Sequence, residues 1–140
     1  MANQRLYLLQ QLKCQGLSRN ALHIIFTAIV LSVVTYALPA FSGQLSKGDR
    51  DRLDGLFRKA FIRGLCFDVF HIDDLMRDAD KKLFREASDH RHCLHPLLPK
   101  QRPKKLLSSL RCRGHSYTLP HIEFSLYKNS FINRCLFDMI

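Results

Sequence analysis

The sequence predicts an all-α fold, a small helical bundle over residues 1–64 followed by a looser, basic helical tail over residues 65–140. Three features carry that expectation. No charged side chain interrupts the chain between Arg19 and Lys47, and the apolar run Ala21 to Phe41 is longer than an ordinary strand. Leu53, Leu56, Phe57, Ala60 and Phe61 recur at the spacing of one helix face. Gly16, Pro39 and Gly64 stand where helices would have to stop.

Taken in order, Gln4 to Gln15 reads as a first helix with Leu6, Leu9 and Leu12 on one side, ended by Gly16. Leu17-Ser18 is too short for anything but a tight corner, so this helix should fold back on the apolar run as a helical hairpin. A helix from Arg19 to Leu38 would be roughly 30 Å long at 1.5 Å per residue, enough to cross a small domain or a bilayer. Ser18 as N-cap and Pro39 as stop give it built-in ends, and His23, Thr27, Ser32, Thr35 and Tyr36 recur along it. Those features favour a helix buried in a bundle core, with a transmembrane or signal-anchor helix as the alternative. A cleavable signal peptide fits less well, because Leu38 occupies the third place before a cut after Ala40, where a small residue is wanted.

Ser46 stands three residues before Asp49, a capping box with the shorter acid, and opens a helix that Gly64 ends. Asp54 and Arg58 are spaced to pair across one turn of it. His71-Ile72-Asp73-Asp74 opens another helix, with Ile72, Leu75, Met76, Ala79 and Leu83 inward and its acids at the start, as the helix dipole prefers. His90 to Pro103, with three His and three Pro, reads as loop; Leu106 to Arg113 reads as a short helix. From Ser125 a last helix should carry Tyr127, Phe131, Cys135 and Met139 along one side.

At 140 residues the chain can bury one modest core, as a single domain or as part of something larger. Five cysteines in scattered positions fit reduced thiols inside the cell, in cytoplasm or nucleus, better than a disulfide framework. The formal charge is +10, and the stretch from His90 to Ile122 holds seven Lys or Arg and no acid. Such a balance attracts polyanions, of which the phosphate backbone is the commonest. Arg52, Lys59 and Arg63 form a basic stripe on one helix and are the candidate phosphate contacts there; Lys100, Arg102, Lys104 and Lys105 are the candidates in the tail. The bland alternative for each is a solvated face.

A metal site is suggested by Cys93 and His95 with Cys112 and His115, two pairs joined by sixteen residues. Zinc accepts that ligand set in tetrahedral geometry, although the first pair is spaced more tightly than in zinc fingers. Loop packing by the same His side chains is the competing account. Catalytic signatures are missing: the chain has no P-loop, no nucleophile elbow and no HExxH, and Asp73-Asp74 is a lone carboxylate pair without a third partner for Mg²⁺.

Read in order, RLYLLQQLKCQGLS, the apolar helix ending TYALPAFSGQLSKGDRDRLDGLFRKAFIRG, DDLMRDADKKLF, HCLHPLLP, LRCRGH and NSFINRCLF resemble the C-terminal end of reverse transcriptases from non-LTR (LINE-type) retrotransposons, jockey-like elements in particular. The resemblance covers nearly the whole chain. It implies that the first helices form a thumb-like three-helix unit, the part that holds template and primer after the palm, and that the rest is a tail. It also implies what is missing. The palm's aromatic-x-Asp-Asp turn does not occur here, and Asp73-Asp74 cannot replace it because His71-Ile72 precedes it and it follows the thumb helices.

The expectation is therefore a fragment of an RNA-directed DNA polymerase with no catalysis of its own and, at most, weak non-specific nucleic-acid binding. Its natural partner would be the missing palm and fingers, and the surface they would cover should promote self-association. Two alternatives remain: a small single-pass membrane protein with Ala21 to Phe41 in the bilayer, and a zinc-stabilised interaction module.

Overall fold

The computed structural model describes residues 2–103 and 115–138, and these are mostly helical, with no strand among them. The all-α expectation holds. By its contacts the chain divides into two compact units, Met1–Leu38 with Leu45–Arg77, and Pro39–Gln44 with Asp78–Ile140. The first unit thus runs beyond Gly64, which ends a helix but not the unit.

In the first unit, α1 (Ala2–Cys14) turns through Gly16 into α2 (Arg19–Phe26). Gly16 has φ +90°, and the Leu17 amide reaches back to the Leu12 carbonyl, the closure that a left-handed residue permits after a helix. Gly64, φ +68°, ends α5 (Lys47–Ile62) the same way, with the Leu65 amide on the Ala60 carbonyl. Both N-caps are realised. Ser18 Oγ accepts from the Ala21 amide at 3.3 Å, and Ser46 Oγ accepts from the Asp49 amide at 3.2 Å. Asp49 does not complete the box on the Ser46 amide; its carboxylate accepts a hydrogen bond from the Ser46 hydroxyl at 2.6 Å, as the shorter side chain allows.

The core of this unit is apolar. Leu6 and Leu9 of α1, Leu22 and Phe26 of α2, Val30, and Leu56, Phe57 and Ala60 of α5 pack with Leu65 and Cys66. Phe70 lies stacked against Phe26 at 6.0 Å and edge-on to Phe57 at 5.9 Å. Asp54 does not pair with Arg58. Its Oδ1 accepts the Ile72 amide at 2.8 Å, so α5 caps the start of α6 (Ile72–Ala87). Asp73 and Asp74 at that start engage Arg50 and Arg77, each at 3.0 Å.

The apolar run departs from expectation twice. It is helical, but α2 passes through one π turn, Thr27–Leu31, before its last turn α3 (Ser32–Thr35). The Arg5 guanidinium donates to the Ile29 carbonyl, while Thr27, Ser32 and Thr35 hydroxyls donate to carbonyls four residues back, and such side-chain competitors loosen the helical ladder. The helix then breaks at Tyr36 (ψ 124°) and Ala37 (φ +53°), ahead of Pro39. Pro39 has no N–H for the Thr35 carbonyl and its ring would collide with it, so the chain turns first and Pro39 sits in the opening turn of α4 (Leu38–Phe41).

The second departure is burial. Only 22 % of the most apolar 18-residue window is buried, where a helix enclosed by the core was expected. Leu22, Phe26, Val30 and Leu38 face inward, whereas Ile24 is 67 % and Tyr36 80 % exposed. Absence of charge removes the penalty for burial without supplying anything to pack on the second face.

In the second unit, α6 supplies Phe84, which packs with Tyr117 and with Cys135 and Leu136 of α8 (Phe131–Asp138). The single helix expected from Ser125 is two, α7 (Ser125–Lys128) and α8. Ser130 Oγ and Asn133 Nδ2 both donate to the Tyr127 carbonyl, at 2.8 and 2.9 Å, which ends α7 and leaves Tyr127 exposed. Met139 and the helix expected at Leu106 to Arg113 lie outside the described residues. A buried ion pair was not anticipated: Asp80 meets Arg134 through both oxygens, at 2.8 and 2.9 Å, and the same guanidinium reaches the carbonyls of Asn129 and Pro39 at 2.8 and 3.0 Å.

Candidate nucleic-acid interface

A cationic stripe lies on α5, whose buried and exposed sides do different work. Leu56, Phe57 and Ala60 fix one face in the core, so the register of the exposed face is fixed as well. Arg52, Lys59 and Arg63 fall on that exposed face and are all open to solvent. Arg52 is 3.7 Å from Asp49, an i,i+3 contact between exposed groups that water screens. The Ser46 hydroxyl holds the Asp49 carboxyl below its ordinary range, with Arg52 as a lesser cause. Among the described residues no ion pair involves Lys59 or Arg63. Their place at the C-terminal end of α5 also suits the helix dipole, which is reason enough for a cation but not for leaving it unpaired.

The structure adds two cations that the sequence did not single out. Lys13 Nζ donates to the Arg63 carbonyl at 2.5 Å, and Lys13, Leu17, Arg19, Leu22, Phe61, Ile62 and Gly64 line a concavity at the end of α5. Arg19 stacks over the Phe67 ring at 5.1 Å. Lys13 and Arg19 belong to other helices, and only the turn at Gly16 brings them to Arg63. Phe61, expected in the core, is 39 % exposed and forms part of this rim.

In the tail, Lys100 and Arg102 lie on a short extended segment. Gln101 bridges antiparallel to Tyr117, the Arg102 amide donates to the Ser116 carbonyl at 2.8 Å, and the Thr118 amide donates to the Lys100 carbonyl at 3.0 Å. Residues two apart on an extended chain point the same way, so Lys100 and Arg102 share a side; Lys100 is exposed and Arg102 half-buried. Lys104, Lys105 and Cys112 lie outside the described residues.

Of the zinc candidates, Cys93, His95 and His115 are among the described residues and Cys112 is not. Among the described residues no group of three or more His, Cys, Asp or Glu is placed to hold a metal. Cys93 is exposed, and His95 Nδ1 lies 3.3 Å from the Ala87 carbonyl. His115 is buried beside Phe84 and Tyr117, with Nδ1 accepting the Tyr117 amide at 3.2 Å and Nε2 therefore protonated toward the Leu136 carbonyl at 2.8 Å. As placed, it has no ring nitrogen left for a metal.

Comparison of the chain with protein-family models, with curated proteins and with solved structures finds no match. The chemistry on offer thus has to be read from the residues. Cationic side chains on a rigid helix can neutralise phosphates without reading bases. Among the described residues the cysteines are free, and burial, the main cause, pushes the thiols of Cys66 and Cys135 up to about 11 and about 12, away from thiolate reactivity.

Proposed function

We propose that this chain is the thumb and tail of a non-LTR retrotransposon reverse transcriptase, carrying no polymerase chemistry in its own residues and able to grip nucleic acid non-specifically. The observation that carries the binding part is the α5 stripe, where Arg52, Lys59 and Arg63 are exposed on a helix held in register by its buried Leu56, Phe57 and Ala60. The family part rests on the ordered motifs of the sequence. Two-metal nucleotidyl transfer needs several positioned carboxylates, and here Asp73 and Asp74 are each engaged by an arginine. The setting is intracellular, and the exposed apolar surfaces would be covered by palm and fingers or, in their absence, by a second copy.

Binding of duplex and single-stranded oligonucleotides across a salt series tests the reading: affinity should fall steeply as salt rises. Primer extension with Mg²⁺ or Mn²⁺ should give no incorporation. Template-dependent synthesis that disappeared in Asp73→Asn would overturn the proposal.

One observation favours a second reading. The segment Arg19–Gln44 has a mean hydropathy of 2.2 in its most apolar window and is mostly unburied there, so it could lie in a bilayer. Resistance of the expressed protein to carbonate extraction from membranes would establish that reading over the first.

A further inference from the structure

The concavity at the meeting of three helix ends, those of α1, α2 and α5, combines two kinds of side chain. Leu22 is buried there and Leu17 half-buried, while Phe61 and Ile62 are 39 % and 74 % exposed. Lys13 and Arg19 line it as well, and no acid does. The acid-free setting extends further, since Arg5, Lys13, Arg19 and Lys47 all precede Asp49, the first acid of the chain. Asp49, Asp51 and Asp54 are anionic but belong to the first half of α5, and the last of them stands two turns, about 10 Å along the axis, before Phe61. Asp68 follows Phe67, and among the described residues no ion pair joins it to Lys13 or Arg19. Both cations keep donors for a ligand. Lys13 gives one of its three N–H groups to the Arg63 carbonyl at 2.5 Å, and Arg19 lies over the Phe67 ring at 5.1 Å, a contact that spends no N–H group on an acceptor.

We infer that this concavity docks an acidic amphipathic segment of another protein, with an apolar side chain seated among Leu17, Leu22, Phe61 and Ile62 and carboxylates on Lys13 and Arg19. The inference goes beyond the nucleic-acid reading and does not rest on it. Charge and apolar surface select the occupant together. A sugar-phosphate strand would satisfy the cations but its backbone has no apolar group to cover Ile62. A neutral apolar segment would take Lys13 and Arg19 out of water without a counter-ion. A second copy would bring a net charge of +10 against another of +10. A flat lipid surface would meet only the rim of a concavity. A helix with apolar anchors on one side and acids beside them meets both demands.

The test uses the full chain and a fluorescein-labelled amphipathic helical peptide with Leu on one face and Glu on the other, beside matched peptides with Gln for Glu and with Ala for Leu. Wild type should bind the first by fluorescence anisotropy at least about tenfold more tightly than either control. Ile62→Gln changes an exposed side chain, so the melting temperature and the affinity for a DNA duplex should stay as they are while peptide affinity falls about tenfold. Arg19→Glu places an acid in the first turn of α2, where the helix dipole accepts it, and should exchange preference for the Glu peptide for preference for a Lys counterpart. A wild type that binds the Glu-Leu peptide no better than its controls would overturn the inference, and so would peptide binding indifferent to Ile62→Gln. Loss of duplex binding in step with peptide binding in Ile62→Gln would make the concavity part of a nucleic-acid site and would also overturn it. Light scattering that showed wild type as a dimer and Ile62→Gln as a monomer would assign the surface to a second copy, with the same consequence. A wild type that binds the peptide and not the duplex would leave this inference standing and remove the nucleic-acid reading.

Discussion

The first unit encloses Phe26 and Phe57 with leucines and, among its described residues, has no buried polar residue, although Arg50 Nε lies buried without a hydrogen-bond partner; Ser42, Asp80, His115 and Asn133, the buried polar residues, all belong to the second. The same chain therefore organises its two cores by different rules. In the first, transfer of apolar surface from water does the ordering, and periodicity alone identifies which residues take part. In the second, a four-residue apolar cluster is accompanied by the Asp80–Arg134 pair and the His115 bridge, whose burial is tolerable only because every partner is in place. Among the described residues each unit carries one buried and one exposed thiol, Cys66 and Cys14 in the first and Cys135 and Cys93 in the second, and Cys112 lies outside those residues. Thiol labelling thus reports on the two cores separately.

The largest effects should come from breaking each rule in turn. Asp80→Ala leaves the Arg134 guanidinium nearly buried without its counter-ion, and should destabilise by about 3–5 kcal/mol. Cys135 should then label quickly while Cys66 lags, and the paired replacement Asp80→Leu with Arg134→Met should recover most of the loss. Phe57→Ala should cost about 3–5 kcal/mol by opening a cavity, and reverse the order in which the two thiols label.

A smaller effect separates the units by pH. Both buried thiols have folded pKa values above the ordinary 9.0, so the stability they contribute is whole below pH 9 and is lost as pH rises through about 11 for Cys66 and about 12 for Cys135. A base titration followed by circular dichroism should therefore show destabilisation starting above pH 9, and Cys66→Ser should blunt its earlier part. Asp49 has the opposite sign, since its lowered pKa gives support above its unfolded value that falls away in acid as the folded pKa is crossed. Ser46→Ala should remove that support and about 1 kcal/mol of capping, read as a lower melting temperature. The smallest effect expected is from a metal chelator, which should leave the melting temperature unchanged because His115 spends both ring nitrogens on backbone groups.

What could be read in advance follows the same division. Leu6, Leu9, Leu56, Phe57 and Ala60 were legible because a helix face repeats, and Gly16 and Gly64 because few residues other than glycine take a positive φ after a helix. The exposed side of α2 was not, since an uninterrupted apolar run records what could be buried and not what is available to bury it. Asp80 carried a faint signal, an acid within the inward-facing series of α6, but its partner lies fifty-four residues away. The shared exposed side of Arg52, Lys59 and Arg63 on α5 was legible from helical spacing, while the concavity that Lys13 and Arg19 line was not, because it depends on how three helix ends meet.

The central claim is that the cations of α5 hold phosphate, and the salt dependence of binding tests it most directly. For wild type, Lys59→Ala with Arg63→Ala, and Lys100→Ala with Arg102→Ala, the slope of log affinity against log salt should be measured on one duplex. The α5 pair should reduce the slope by close to two units, and the tail pair by about one, because Arg102 is half-buried. A slope indifferent to the α5 pair, or an affinity indifferent to salt, would contradict the account.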